Sequence, residues 1–132
     1  MVRKLVGIAV SAAIVLVAGV GSAMADGPGD KRSIEKLLTN NSIIYTDGIT
    51  GLETTIYFGR FGNFDRYVPC TFTDGDFKVS GAGEVCLKDR EGAQTEMCFK
   101  PTISGNQISW KVPDGRTTNV ARLLLGNKMP IG

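Results

Sequence analysis

The chain has 132 residues, 42% of them hydrophobic, with three cysteines and no histidine. That length suits one domain with one core, and the missing histidine removes Ser-His-Asp and Cys-His catalysis as well as histidine-held metals. The formal net charge of +2 rests on Arg3 and Lys4. Past residue 25, the thirteen remaining Lys and Arg are interleaved with thirteen Asp and Glu, without the basic stripe that nucleic acid binding requires.

The first residues read as an address. Met1 to Lys4 is a short basic start, Leu5 to Val20 is apolar apart from Gly and Ser11, and Ala23-Met24-Ala25 puts small residues where a signal peptidase cuts. This order predicts a cleavable secretory signal over residues 1–25 and a single mature domain over 26–132. The apolar run is shorter than the roughly 20 residues a spanning helix needs, so no membrane span is expected in the mature chain. The protein is expected in the periplasm or outside the cell.

Asp26 to Asp30 is a Gly/Pro-rich leader. Ile34, Leu37 and Leu38 then fall at helical spacing over Asp30 to Thr39, with Asp30 placed to cap the helix and Asn40-Asn41 to end it. From Ser42 onward, strand patterns alternate with turn residues, which predicts an all-β fold: about eight antiparallel strands in a small meander barrel or half-barrel, preceded by this one short helix. Ser42–Thr46 and Leu52–Phe58 flank Asp47-Gly48 and Gly51. Tyr57 to Tyr67 reads as two core strands around a glycine-rich turn at Gly59–Asn63.

Asp74-Gly75 reads as the tight turn of the next hairpin, pairing Phe72 with Phe77 and Cys70 with Val79 on an apolar face. Gly81 to Gly83 forms a further loop, which sets Val79 opposite Val85 and Phe77 opposite Leu87. Folding the chain about Gly92 then sets Cys86 opposite Cys98, Leu87 opposite Met97 and Val85 opposite Phe99, with Lys88 facing Glu96 and Glu84 facing Lys100 on the outer side. Ile108 to Val112 alternates cleanly, Val112-Pro-Asp-Gly115 is a turn, and Leu123 to Leu125 breaks the alternation of the last strand, which predicts a bulge or burial on both sides.

From Ile34 to Asn127 the order of short motifs resembles a family of small exported bacterial proteins known as domain of unknown function 995. The motifs are Asn40-Asn41 before the first strand, Tyr57-Phe58, Gly75-Asp-Phe77 leading to Cys86, its partner Cys98, and a late Asp114-Gly115 turn. Phe77 stands where the family more often has Trp. The resemblance implies an exported, lipocalin-like β-fold and no known activity.

Cys86 and Cys98 are too far apart for the C-x-x-C spacing of a redox pair, and with only one further cysteine they lack ligands for a zinc site. Export and cross-strand register both predict a disulfide. Cys70 remains as a free thiol. Its place opposite Val79 predicts a small buried hydrophobe; an intermolecular disulfide and a reactive nucleophile are the other readings, and the latter would want a histidine base.

Carboxylates are the remaining reactive groups. Asp74 and Asp76 read as a solvated turn without the D-x-D-x-D-G run of a calcium loop, Glu53 and Asp65 are scattered, and Asp89 is placed to point inward beside Thr95. Ser80 to Gly83 lacks the Lys-Ser/Thr and helix of a phosphate loop. The densest unusual composition lies within Tyr57 to Tyr67, where Tyr57, Arg60, Phe61, Arg66 and Tyr67 form a candidate recognition lip. These features predict a non-enzymatic binding module without cofactor, metal or nucleic acid, holding a small ligand or an envelope protein partner. The alternative is a small periplasmic hydrolase or inhibitor using carboxylates or hydroxyls at the barrel mouth. The exported protein is expected to begin at Asp26 by intact-mass measurement; Met1 retained in a membrane fraction would contradict the signal.

Overall fold

The computed structural model describes residues 27–91 and 96–130; the signal over 1–25, the turn at Gly92 and Thr95 lie outside these. The only helix among them, α1 (Lys31–Leu38), begins where its cap places it: the Ser33 amide donates to Asp30 Oδ1 at 2.8 Å, satisfying one of the open donors of a helix start. Asn40 takes a positive φ of 69° and turns the chain out of the helix into the first long strand. Ile34, Leu37 and Leu38 are buried. At eight residues α1 is too short to persist alone, and it leans on the strands Asn41–Thr46 and Thr71–Val79. It is also too short to cross a membrane, as is every helix among the described residues.

Ten strands form one antiparallel sheet: β1 (Gly27–Pro28), β2 (Asn41–Thr46), β3 (Glu53–Phe58), β4 (Asn63–Val68), β5 (Thr71–Val79), β6 (Val85–Asp89), β7 (Glu96–Phe99), β8 (Thr102–Ser104), β9 (Gln107–Lys111) and β10 (Thr118–Leu125). The spatial order is β1-β8-β9-β10-β2-β3-β4-β5-β6-β7. The fold is therefore the expected all-β meander with one helix. The count exceeds eight because β1 and the three-residue β8 carry no alternation long enough to read from sequence.

Strands β7 and β8 lie eight places apart in the sheet but are joined by only Lys100 and Pro101. Laid flat, eight strand spacings would separate them by about 38 Å, whereas three Cα steps reach at most about 11 Å. The sheet must curl until its ends meet. Its outermost strands, β1 and β7, are not neighbours in the hydrogen-bonded order, so side chains close this half-barrel: Phe99 of β7 stacks on Trp110 of β9 at 4.4 Å between ring centres, and Pro101 is fully buried. Gly83, between β5 and β6, sits so close to Gly29 after β1 that any side chain there would strike the Gly29 carbonyl.

The registers from β5 to β7 are as the alternation requires. Val79 faces Val85, Phe77 faces Leu87, Cys86 faces Cys98 and Val85 faces Phe99. Met97 faces Leu87 but is 40% exposed at the sheet edge. At the other end of the chain, Leu123 and Leu124 are each partly buried, so both faces of β10 are covered there in part.

One hairpin differs from the sequence reading. Asp74-Gly75 is not a turn; β5 runs straight through it, and the reversal occurs one segment earlier, at Pro69-Cys70, with Val68 facing Thr71. Treating Asp74 and Gly75 as a loop shifts the side-chain parity of everything before it. Cys70 and Phe72 therefore do not share the inner face with Phe77; both are exposed. Gly75 is needed for a different reason: a Cβ there would collide with the Lys88 carbonyl and come within 2.8 Å of the Phe64 ring. Its glycine lets the strand bend tightly around the core.

The interior is filled. Phe58 and Phe64 are fully buried, Phe58 meets Phe77 edge-on at 4.9 Å, and Tyr45 meets Trp110 edge-on at the same distance. Such pairs add about 0.5–1.5 kcal/mol beyond burial. Gly75→Ala is expected to lower stability by about 1–3 kcal/mol through overpacking. Gly81→Ala, with open space around it, should stay within about 0.5 kcal/mol of the parent. Urea midpoints of the two variants measured side by side check this; equal midpoints would contradict the continuous strand.

Candidate functional site

The five residues of the predicted lip do not assemble. Along β4 the inner face carries Phe64 and Arg66 while Asp65 and Tyr67 point outward, and on β3 Tyr57 lies on the outer side, facing Asp65. Arg60 and Phe61 occupy the turn between β3 and β4; Phe61 is 84% exposed and its ring lies 4.9 Å from the Arg60 guanidinium carbon. Tyr67 is near the far end of β4, about 13 Å away along the strand. The composition that stood out in sequence is divided between two ends and two faces of the barrel.

Arg66 points to the inner face of the sheet and is partly buried. Its Nη2 donates to Asp89 Oδ1 at 2.5 Å, its Nε donates to Thr73 Oγ1 at 3.1 Å, and its guanidinium carbon lies 5.3 Å from the Phe64 ring centre. Asp89 thus points inward as expected, with Arg66 as its partner. Nearby Tyr45 is buried, and its hydroxyl pKa is pushed up to about 12, by desolvation first and then by Asp47, with Arg66 opposing. The Tyr45 hydroxyl stays protonated at any physiological pH. This cluster ties β4, β5 and β6 together across the inner face, with charge-assisted hydrogen bonds about twice as strong as neutral ones.

The outer face carries the second group. The Phe72 ring, half exposed, packs on Tyr67 with ring centres 4.6 Å apart. Cys70 lies beside them, and the Tyr67 hydroxyl pKa is raised by desolvation and then by that neighbouring thiol. Next to Phe72 opens a cavity of about 360 Å³ lined by Asp65, Thr73, Asp74, Asn127 and Met129. Asp65 stands directly opposite Asp74, an arrangement of like charges that is unfavourable in a sheet. Arg90 offsets part of it by bridging Asp74 and, at 3.3 Å, Asp76. Asp74 and Asp76 are therefore strand residues held by an arginine, where the sequence suggested a solvated turn.

The cysteines divide as expected in pairing but not in burial. Cys86 and Cys98 form a disulfide, with Cα atoms 4.0 Å apart, on the outer side of the sheet. It fastens the four-residue edge strand β7 to β6. Glu84 lies near both sulfurs, but sulfurs engaged in a disulfide are not available as thiolate ligands. Cys70 is free and exposed.

Sequence reasoning passed over Phe72, whose exposure follows only from the β4–β5 register, and Met129, which reaches the cavity through a chain reversal at Gly126 (φ 81°). No family model, curated protein or solved structure matches the chain.

Two measurements follow from this placement. Arg66→Ala should lower stability by about 1–3 kcal/mol, because it strips a partly buried carboxylate of its partner, while Arg60→Ala should leave the melting temperature unchanged. An alkylating reagent applied to the native protein should label Cys70 rapidly and spare Cys86 and Cys98 until reduction; label on either of those first would contradict the disulfide.

Proposed function

We propose that the protein is an exported, non-enzymatic binding module that holds a protein partner on the outside of its half-barrel, around Tyr67 and Phe72. Two features support this over a ligand held inside. Aromatic and aliphatic side chains together with α1 fill the interior, and the polar groups that do point inward are engaged with one another. The disulfide supports export, because such bonds persist in oxidising compartments, and so does the resemblance of its motif order to the exported domain of unknown function 995 family.

The observation that carries the reading is the pair Tyr67 and Phe72. A large aromatic ring half open to water, packed at a tilt against a tyrosine and bordering a cavity with two carboxylates, has the make-up of an interface anchor. The strand segment from Tyr67 to Thr73 carries no charge, so it can be covered without desolvating an ion, while Asp65 and Asp74 beside it favour a partner with basic groups. Paired-carboxylate hydrolysis is less well supported there, since Asp74 is already held by Arg90.

The test is retention of one partner from an envelope extract by the mature chain. Tyr67→Ala and Phe72→Ala together should reduce retention by roughly 30-fold or more, the scale of one lost anchor of about 2 kcal/mol, with an unchanged melting temperature. Arg60→Ala, at the other end of the strand, should retain the partner fully. Equal retention by the aromatic double variant would overturn the proposal.

A further inference from the structure

The outer face is already partly occupied, by the chain itself. After Leu125 the backbone turns at Gly126 and the segment Gly126–Pro130 leaves the sheet as a strap across the start of β2. The Gly126 amide donates to Asn41 Oδ1 at 3.1 Å, Ser42 Oγ donates to the Gly126 carbonyl at 2.8 Å, and the same Oγ accepts the Lys128 amide at 2.9 Å. Ser42 is 0% exposed. It is a buried polar side chain on the outer face of a strand, and both of its hydrogen bonds go to the strap. Beyond it, Met129 is half buried and lines the cavity shared with Asp65, Phe72 and Asp74.

The pattern of these contacts is that of a short turned peptide on a prepared surface, its turn held by the Met129 amide donating to Asn127 Oδ1 at 2.9 Å. The fold supplies a side chain that reads one backbone carbonyl and one backbone amide two residues apart, an apolar place for a flexible side chain, and carboxylates nearby. The strap supplies the matching chemistry: its one charge is Lys128, followed at once by Met129. Asn127, Lys128 and Pro130 are exposed, so the strap meets the sheet mainly through Gly126, the Lys128 amide and Met129.

We propose that this channel, from Ser42 to the Asp65–Asp74 cavity, is the docking groove for a short turned segment of the protein partner in which a basic residue precedes a flexible apolar one, and that the strap occupies it as a built-in competitor until the partner arrives. The inference rests on the outer-face reading above. It adds the form of the partner and the device that regulates access.

The probe is a synthetic peptide of residues 126–130, with a control peptide carrying Lys128→Glu and Met129→Asp. Two variants open the groove while leaving its sheet residues Ser42, Asp65, Phe72 and Asp74 in place: a chain ending at Leu125, and Gly126→Pro, whose ring fixes φ near −65° where the strap requires 81°. Either opened chain should bind the peptide roughly tenfold or more tightly than the parent, in which the tethered strap competes at high effective concentration. Asp65→Asn should weaken that binding, and the control peptide should not bind. In the parent chain, excess peptide should speed hydrogen exchange of the Lys128 amide by displacing the strap, a readout that needs no variant. Failure of a folded, opened chain to bind the peptide would overturn the groove, as would equal binding of the control or unchanged exchange in the parent. If partner retention through Tyr67 and Phe72 persists in that case, only the groove fails. If retention is lost as well, the outer-face reading fails with it.

Discussion

The two-residue link from Phe99 to Thr102 is the constraint on which the rest of the structure depends. It joins strands from opposite ends of the sheet order, so no flat arrangement of these strands can exist. Curling brings Phe99 onto Trp110, buries Pro101, and creates the inner surface that Ile34, Leu37 and Leu38 of the helix then cover. The edge strand β7 has a single hydrogen-bonded neighbour and only four residues. The Cys86–Cys98 disulfide fastens it on the side facing away from the core, which lets so short a strand bear the closing link. In the chain-entropy model a loop of this size contributes roughly 3 kcal/mol, a large share of the stability of so small a domain.

Tight curling has local consequences. Where β5 passes close to the Lys88 carbonyl and the Phe64 ring there is no room for a Cβ, and Gly75 sits there. Near Gly75 the inner face also carries polar groups. Arg66, Asp89 and Thr73 complete the layer as a self-satisfied polar set, close to the buried Tyr45. Such a set is costly if any member is removed, because the remaining charge is left without a partner in a partly dry environment. It acts as scaffold, and it draws Arg66 away from the surface where its composition had placed it.

A filled interior moves recognition to the outside. The outer side of β2 to β5 combines a half-exposed phenylalanine, two opposed carboxylates and a buried serine whose partners lie on the segment that follows β10. These groups converge because the β4–β5 reversal at Pro69-Cys70 sends Tyr67, Cys70 and Phe72 outward together. The proposed partner surface is thus a by-product of strand parity on one hairpin.

How far the sequence alone reached can be judged from particular elements. It determined the helix and its Asp30 cap, the fold class, the β5–β6–β7 registers and the pairing of Cys86 with Cys98. These rest on local signals: helical spacing, a capping side chain, and period-two alternation that agrees across consecutive short loops. It did not determine the role of Asp74-Gly75, because a turn there and a continuous strand preserve the same alternation on either side. Only contact with Phe64 and Lys88, distant in the chain, decides between them. That one decision set the parity of Cys70 and Phe72. The inward turn of Arg66 and the seating of Met129 beside Asp65 and Asp74 were likewise left to the tertiary structure, since both depend on which side chains a curled sheet brings face to face. Spacing along the chain carries the first kind of information, and only closure of the barrel carries the second.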